Sequence, residues 1–365
     1  MSATLFVSTL EVRKSDWADT RINTELMSIQ LKENEVLFKV ERQALTANNI
    51  SSAAGGELLD YWGFYPTHEG WGRIPAMGWG EVIASAHPEV KVGERTWGFY
   101  PYGSHHKILA GRLNSTSFSD VSAHRAKHAP IYTQFDRAAA NPIYQPARED
   151  QDSLLRGLFL TSWLVEDFIE VNKAFAAQNC LITSASSKTS IALAHCVKQR
   201  GTLRSIGITS PGNVAFCEGL GCYDSVLTYA QLSELDASQG VVMVDMAGNA
   251  KVISALHHHF GVNMKYSCRI GATHYNDMGC SKHLPGAKPV FFFAPTHRET
   301  RSQTLGADTF TQLLWGAFSG FREFCDTWMR VESSCGPEAM TATYLSVLAG
   351  KADPASGQIV SMWPE

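Results

Sequence analysis

Along the first 145 or so residues, apolar and polar positions alternate in short runs. Residues 36–43 (VLFKVERQ) and 81–86 (EVIASA) place an apolar side chain at roughly every second position, the period of a half-buried strand. Gly, Pro, Asn and aromatic clusters interrupt these runs, and no long helical period develops. That texture predicts a barrel-like β domain. From about residue 150 the period changes. Residues 152–171 (DSLLRGLFLTSWLVEDFIEV) read as a helix with a wide apolar face, and 179–183 (NCLIT) as a short buried strand. A helix over 190–200 stops at Gly201.

The alternation then continues. Residues 203–209, 225–228, 240–245, 264–271 and 289–294 read as strands, with helices over 214–220 and 251–260 between them. Strands alternating with helices predict βαβ units around a parallel sheet covered on both faces. Six strands in this order predict a doubly wound, Rossmann-type α/β domain. The stretch from residue 308 reads as mostly helical and ends in a strand near 358–362.

Composition changes this picture little. The chain has 365 residues, 44% apolar, with 31 basic and 35 acidic side chains and a net charge of −4. Length and apolar content allow two domains with large cores. The charge balance gives no electrostatic case for nucleic acid. No apolar run is long enough to span a membrane, and the first ten residues lack a secretory pattern. All eight cysteines lie from Cys180 onward and none forms a C-x-x-C pair, as expected of reduced thiols in the cytoplasm.

Candidate chemistry begins at the first strand–turn–helix of the doubly wound half. In such sheets an anion meets backbone N–H groups and the positive end of the helix there. The turn (SASSKT) contains no glycine. Its small residues permit close backbone approach. The hydroxyls of Ser184, Ser186, Ser187 and Thr189 suit phosphate oxygens, and Lys188 adds a positive charge; the alternative is a capping run with a solvated lysine. After the second strand come Thr209, Ser210 and Asn213, with no acidic residue to take a ribose 2′-hydroxyl. That predicts NADP(H) over NAD.

These residues resemble the medium-chain dehydrogenase/reductase superfamily, in its zinc-independent, quinone-oxidoreductase-like form. Thr183 to Ala192, with Lys198 and Gly201, lays without a gap onto that family's T-G-A-A-G-G-V-G-L-A and K-x-x-G. Ser184, Ser187, Lys188 and Ser190 replace its glycines. Residues 242–248 (VMVDMAG) resemble V-V-L-D-x-V-G, and Leu220, Gly221 and 226–229 resemble L-G-A-D-x-V-I-x-Y. Gly80, Val82, Gly93 and Arg95 sit on fixed points of the N-terminal P-x-x-x-G-x-E-x-x-G-x-V…V-x-x-G-D-R-V, with Glu94 where Asp is usual, and residues 40–49 (VERQALTANN) resemble V-x-A-x-G-L-N-x-x-D. LTANNI, YWGFYP, SASSKT and residues 219–229 are similar to an uncharacterised branch of the superfamily, known as a domain of unknown function.

The resemblance implies a GroES-like β-barrel catalytic domain (residues 1–145 with 325–365) and a Rossmann domain (146–324). It implies an oxidoreductase that transfers hydride from NADPH to a largely apolar enone, quinone-like or carbonyl small molecule, and a homodimer. The alternatives are a redox-neutral lyase, hydratase or isomerase on the same scaffold, or a nucleotide-binding protein with little turnover. Zinc-dependent members carry Cys at the position of Thr46 and G-H-E at Pro75-Ala76-Met77, so no metal is expected. The run His257-His258-His259 is expected to be solvated.

Thr46 is placed at the cofactor and Asn49 near the hydride site, where the alternative for Asn49 is a turn residue bonding its own backbone. With Asn49, Tyr61 or Tyr65 would orient or protonate the substrate, its hydroxyl donating to a developing enolate oxygen, with His68 nearby; the alternative for either tyrosine is a place in an aromatic core. Tyr229, and Met246, Ala247, Gly248, Gly271, Ala272, Phe293 and Ala294 at carboxyl ends of strands, are further cofactor candidates. His297, Arg298 and Arg301 read either as a holder of a carboxylate or phosphate or as a basic loop in solvent.

Overall fold

The computed structural model describes residues 4–246, 248–270 and 283–364. Its contacts divide the chain into two compact units, Met1–Arg156 with Met329–Glu365, and Gly157–Trp328.

The first unit opens with an antiparallel hairpin, β1 (Thr4–Arg13) and β2 (Asp16–Ser28). Then come β3 (Glu35–Leu45), α1 (Ala47–Ala54), the two-residue β4 (Trp71–Gly72), β5 (Pro75–Ser85), β6 (Arg95–Pro101), β7 (His105–Gly111), β8 (Ser117–Asp120) and β9 (Gln134–Arg137). Strands pair in the order β3-β5-β6-β9-β8-β7, and β7 pairs back to β3, antiparallel throughout. This closes a six-stranded, GroES-like barrel without free edges. Val36, Phe38, Val40, Val82, Tyr100, Ile108, Phe118 and Phe135 fill it. The alternation in residues 36–43 reflects this one-sided burial.

β5 begins six residues before the alternating stretch that the sequence marked. Its first half is buried on both faces and so carries no period. Gly78 lies opposite Gln43 on β3, and a Cβ there would lie 2.2 Å from the Arg42 carbonyl oxygen. Gly78→Ala is therefore expected to destabilise the barrel by about 1–3 kcal/mol, read as a lower urea midpoint at unchanged slope.

α2 (Glu149–Val171) leads into the second unit. There β10 (Asn179–Thr183), α3 (Lys188–Arg200), β11 (Arg204–Thr209), α4 (Val214–Gly219), β12 (Ser225–Thr228), β13 (Val241–Asp245), α5 (Ala250–Phe260), β14 (Met264–Arg269), β15 (Val290–Phe291), α6 (Ala294–Leu305) and α7 (Ala307–Asp326) follow. The parallel sheet runs β12-β11-β10-β13-β14-β15, the Rossmann order with the first strand central. Leu181, Ile208, Val241, Met243, Leu256 and Phe260 form part of its core. Gly201 ends α3 in the left-handed conformation, at φ 75°, as a C-terminal glycine does.

The chain returns to the first unit as β16 (Arg330–Cys335), α8 (Pro337–Leu348) and β17 (Ser356–Ser361). β17 pairs antiparallel with β3, and β16 pairs parallel with β17. β16 falls in a stretch read as helical. Four of its six residues are exposed and, among the described residues, it pairs with β17 alone, so local sequence carries little sign of it. Among the described residues, no helix is long and apolar enough to cross a membrane.

Candidate functional site

Polar side chains gather in both units. In the second, the turn after β10 is built almost wholly from short side chains. Ser184 takes a left-handed conformation at φ 52°, where the resembling family has glycine. Its N–H donates to the Tyr229 hydroxyl at 3.3 Å. Ala185 donates from its N–H to the Ile208 carbonyl at 3.0 Å and accepts from the Tyr223 hydroxyl at 2.7 Å. Gly207 on β11 makes that approach possible, because a Cβ there would sit 2.9 Å from the Ala185 Cβ.

The serines divide their work. Ser187 caps α3, accepting from the Ser190 N–H at 3.2 Å, which is why the helix starts at Lys188 and not two residues later. The Ser190 hydroxyl donates to the Thr183 carbonyl at 2.8 Å. Ser186 accepts from the Asn213 side-chain amide at 2.9 Å, and Ser210 accepts from the same amide at 3.2 Å. Ser186, Ser210 and Asn213 thus meet beyond the ends of β10 and β11. Thr209 is buried and bonds the Cys217 thiol. Lys188 and Thr189 begin α3 and are half-buried.

The far side of the turn rests on Asp245, a buried residue that sequence reading passed over as part of a motif. It accepts from the Thr183 hydroxyl at 2.8 Å and the Gly248 N–H at 2.7 Å. The Thr183 hydroxyl in turn accepts from the Met246 N–H at 3.0 Å. β10 and β13 are therefore locked together at their carboxyl ends. Phe293 is exposed and precedes α6, and Ala294 is that helix's first residue. Ala247, Gly271 and Ala272 lie outside the described residues.

Two expectations about histidines change. His297 and Arg301 lie one turn apart on α6, not in a loop, and both hold Asp167 of α2. Arg301 donates to its two carboxylate oxygens at 2.7 and 3.1 Å, and His297 Nε2 lies 2.8 Å from one of them. The Arg301 charge complements a buried carboxylate of the fold, and His297 adds a polar contact to it. The run at 257–259 is solvated only in part. His257 is buried, with Nδ1 2.9 Å from the Pro285 carbonyl and Nε2 3.0 Å from the Ser267 hydroxyl. It lies on the inward face of α5 with Ile253 and Leu256. Among the described residues, no three His, Cys, Asp or Glu side chains group as metal ligands would.

In the first unit, Thr46 and Asn49 form a capping box at the start of α1. Asn49 Oδ1 accepts from the Thr46 N–H at 2.8 Å, and its amide donates to the Pro75 carbonyl at 2.9 Å. Both polar ends of Asn49 thus fix the loop between β3 and α1. His68 is exposed, 3.9 Å from Glu25.

Tyr61 lies in a single helical turn, 61–63, with its hydroxyl 3.4 Å from that of Tyr132. The turn opens at Asp60, left-handed at φ 56°, whose carboxylate is 2.9 Å from His128 Nε2 and 2.7 Å from Lys127 Nζ. Phe64 packs between Tyr61, His128, Tyr132 and the Arg125 guanidinium, and Tyr132 also meets Phe99. Burial, then Tyr132, raises the Tyr61 pKa far above the ordinary phenol value, so it stays protonated. Tyr65 is fully enclosed, against His106 and Arg125. Arg125, Asp60, His128 and Tyr132 had no signal in the sequence. They lie more than 60 residues from their partners or in single-turn elements.

The sequence profile of a family described as a protein of unknown function, DUF2855, matches residues 43–353. No protein of curated description matches the sequence. Several solved structures share the fold at low identity. One is from Mesorhizobium loti and is provisionally named an NADPH:quinone reductase, with TM-score 0.63, 14% identity, and coverage of 99% of this chain and 100% of that one. CurA from Vibrio vulnificus, in complex with NADPH, gives 0.60 at 13% identity with both chains fully covered. A mutant of Etr1p, in complex with NADP and crotonyl-CoA, gives 0.58 at 12% identity, covering 98% and 100%.

Proposed function

Because the chain belongs to the DUF2855 family and has the medium-chain dehydrogenase/reductase fold, we propose that it is a zinc-independent, NADPH-dependent oxidoreductase acting on a largely apolar enone, quinone-like or carbonyl compound. The observation that carries this reading is the turn 184–189 with its partners. It keeps the position and the close approach to β11 of a dinucleotide turn without a single glycine.

The residues present fit the cofactor. The start of α3 and Lys188 would hold its pyrophosphate. Ser186, Ser210 and Asn213 offer hydroxyls and an amide where a 2′-phosphate would lie, with no carboxylate to repel it. When bound, the nicotinamide supplies a hydride. The protein's own part is to orient the acceptor and deliver a proton. Tyr61 is the donor in this reading, held by the turn at Asp60. Tyr61, Phe64, Phe99 and Tyr132 provide apolar ring surface for the substrate. Asn49 and Thr46 set the adjoining loop. Thr46 and Pro75-Ala76-Met77 supply none of the ligands of a zinc-dependent member. The edge strand β15, with Val290, Phe291 and Phe293 exposed, supports a homodimer.

Calorimetric titration of cofactor-stripped protein tests the reading. NADPH is expected to bind and NADH to bind much more weakly. Lys188→Ala should weaken NADPH by about tenfold or more, the loss of one charge-assisted contact. Failure of both nucleotides to bind overturns the proposal. Product formation with no net NADPH oxidation would replace it with a redox-neutral reaction.

A further inference from the structure

Buried polar groups in native proteins find partners, and the exceptions call for an explanation. One cluster in the first unit holds several exceptions together. Tyr65 is 4% exposed and its hydroxyl has no hydrogen-bond partner among the described residues. Arg125 is 3% exposed, and its Nε and Nη1 likewise have none. Its Nη2 donates to the Tyr132 carbonyl at 2.5 Å, and its guanidinium lies 4.3 Å from the Phe64 ring and 5.2 Å from the Tyr65 ring. A phenol hydroxyl and the Nε and Nη1 groups of a guanidinium are therefore left as donors in one enclosed place.

The neighbours narrow what those donors would accept. Asp120 Oδ2 is 3.9 Å from Arg125 Nε, beyond hydrogen-bond range but close enough to balance its charge. Asp120 Oδ1 already accepts from the N–H groups of Leu109 and Ser122 and from the Ser122 hydroxyl. His106 packs edge-on to Tyr65 at 5.1 Å, and burial holds it neutral near pH 7. His124, on the same turn as Arg125, is also held below the ordinary histidine value by burial. The cluster is thus close to electrically balanced. A neutral oxygen acceptor suits it at rest, and a guanidinium is in place if that oxygen becomes charged.

We propose that Tyr65 and Arg125 form a binding site for a carbonyl oxygen that develops into an enolate oxygen. This role in turnover rests on the reductase reading, and it narrows the substrate to a carbonyl-conjugated alkene. Bound NADPH would supply the hydride to the β-carbon and be oxidised to NADP⁺. As the alkene electron pair shifts, the carbonyl oxygen becomes an enolate oxygen; Tyr61 gives its proton to the α-carbon and is reprotonated from water. Tyr65 and Arg125 hold the oxygen throughout. In an enclosed site such donors act most strongly on the charge as it forms. Admitting the substrate requires the segment at 126–130, of which Ala126, Lys127 and Pro130 are exposed, to give way.

The test begins without cofactor. Para-nitrophenol carries an oxygen that ionises readily and reports its ionisation by absorbance. The wild-type protein is expected to bind it as the phenolate, with visible absorbance at a pH where the free compound is largely protonated. Tyr65→Phe should keep the melting temperature of the wild type or exceed it, because the hydroxyl removed has no partner, and should lose most of that absorbance. Arg125→Gln should lose it altogether. In enone reduction, Tyr65→Phe should lower kcat by about 10²-fold, as loss of one oxyanion donor does. Absence of bound phenolate in the wild type, or equal binding by Tyr65→Phe, overturns the site. Phenolate binding that depends on both residues, with no NADPH oxidised by any enone, keeps the site and rejects the reductase reading. Full turnover by Tyr65→Phe rejects the site and keeps the reductase.

Discussion

Replacing Tyr61 by phenylalanine is expected to lower kcat for enone reduction by about 10²-fold or more, with little change in NADPH affinity. The hydroxyl is the only group removed. Its hydroxyl meets that of Tyr132, and its ring still packs against Phe64, so the apolar surface survives the change. Burial and Tyr132 push its pKa upward. The hydroxyl therefore keeps its proton throughout neutral and mildly alkaline pH, and Tyr61 itself should contribute no fall in kcat over that range. Steady-state kinetics of the variant at several pH values make the check. A variant with full kcat would move proton delivery to another group.

Glu11→Ala should cost about 3–5 kcal/mol of stability, the range for breaking a buried ion pair from one side. Glu11 sits on β1 with its carboxylate fully buried. One oxygen accepts from Arg21 at 2.7 and 3.0 Å, and the other from Arg73 at 2.9 Å, Thr67 at 2.5 Å and Asn23 at 3.3 Å. The group ties the β1–β2 hairpin to the segment at 67–73, where Arg13 and Arg21 also stack on Trp71 at 4.3 and 4.1 Å. Removal strands Arg73, which is largely covered, more than Arg21, which keeps access to water. The cost should therefore lie toward the lower end of the range.

The sign of the pH dependence follows. Burial alone would raise the Glu11 pKa, but Thr67, Arg21 and Arg73 together outweigh it and the net shift is downward. The stabilisation is complete above the ordinary carboxylate pKa and drains away as pH falls through the lower folded value. Urea midpoints of the wild type should drop on acidification over that window. Those of Glu11→Gln should start lower and change less.

Both halves of the fold were legible because their signals are local. Strand alternation in residues 36–43 and the βαβ rhythm after residue 179 record which faces are covered, and covering is what a period measures. The same holds for the turn after β10, whose small residues and cap are read from a few consecutive positions. Asn49 illustrates the limit. Its type and place beside Thr46 suit either a cofactor loop or a capping box, and only the position of the Pro75 carbonyl decides that both its polar ends are engaged.

His297 and Arg301 carry the same lesson. Two basic residues four apart announce a carboxylate, yet nothing in sequence says whether it belongs to a ligand or to the protein. Asp167, 130 residues earlier, answers that. Arg125 gave no sign at all, since a lone arginine in a polar loop is usually in water. It acquires meaning from Phe64 and Tyr65, which the fold brings to it from the segment between α1 and β4, and from Asp120 at the end of β8. The sequence by itself determined the two architectures, the glycine-free turn after β10 and the residues eligible for chemistry, because each follows from neighbours within a turn or a strand. Only the tertiary structure decided which of those groups are already engaged and which keep unmatched donors, because hydrogen bonding and desolvation are settled between segments far apart in the chain.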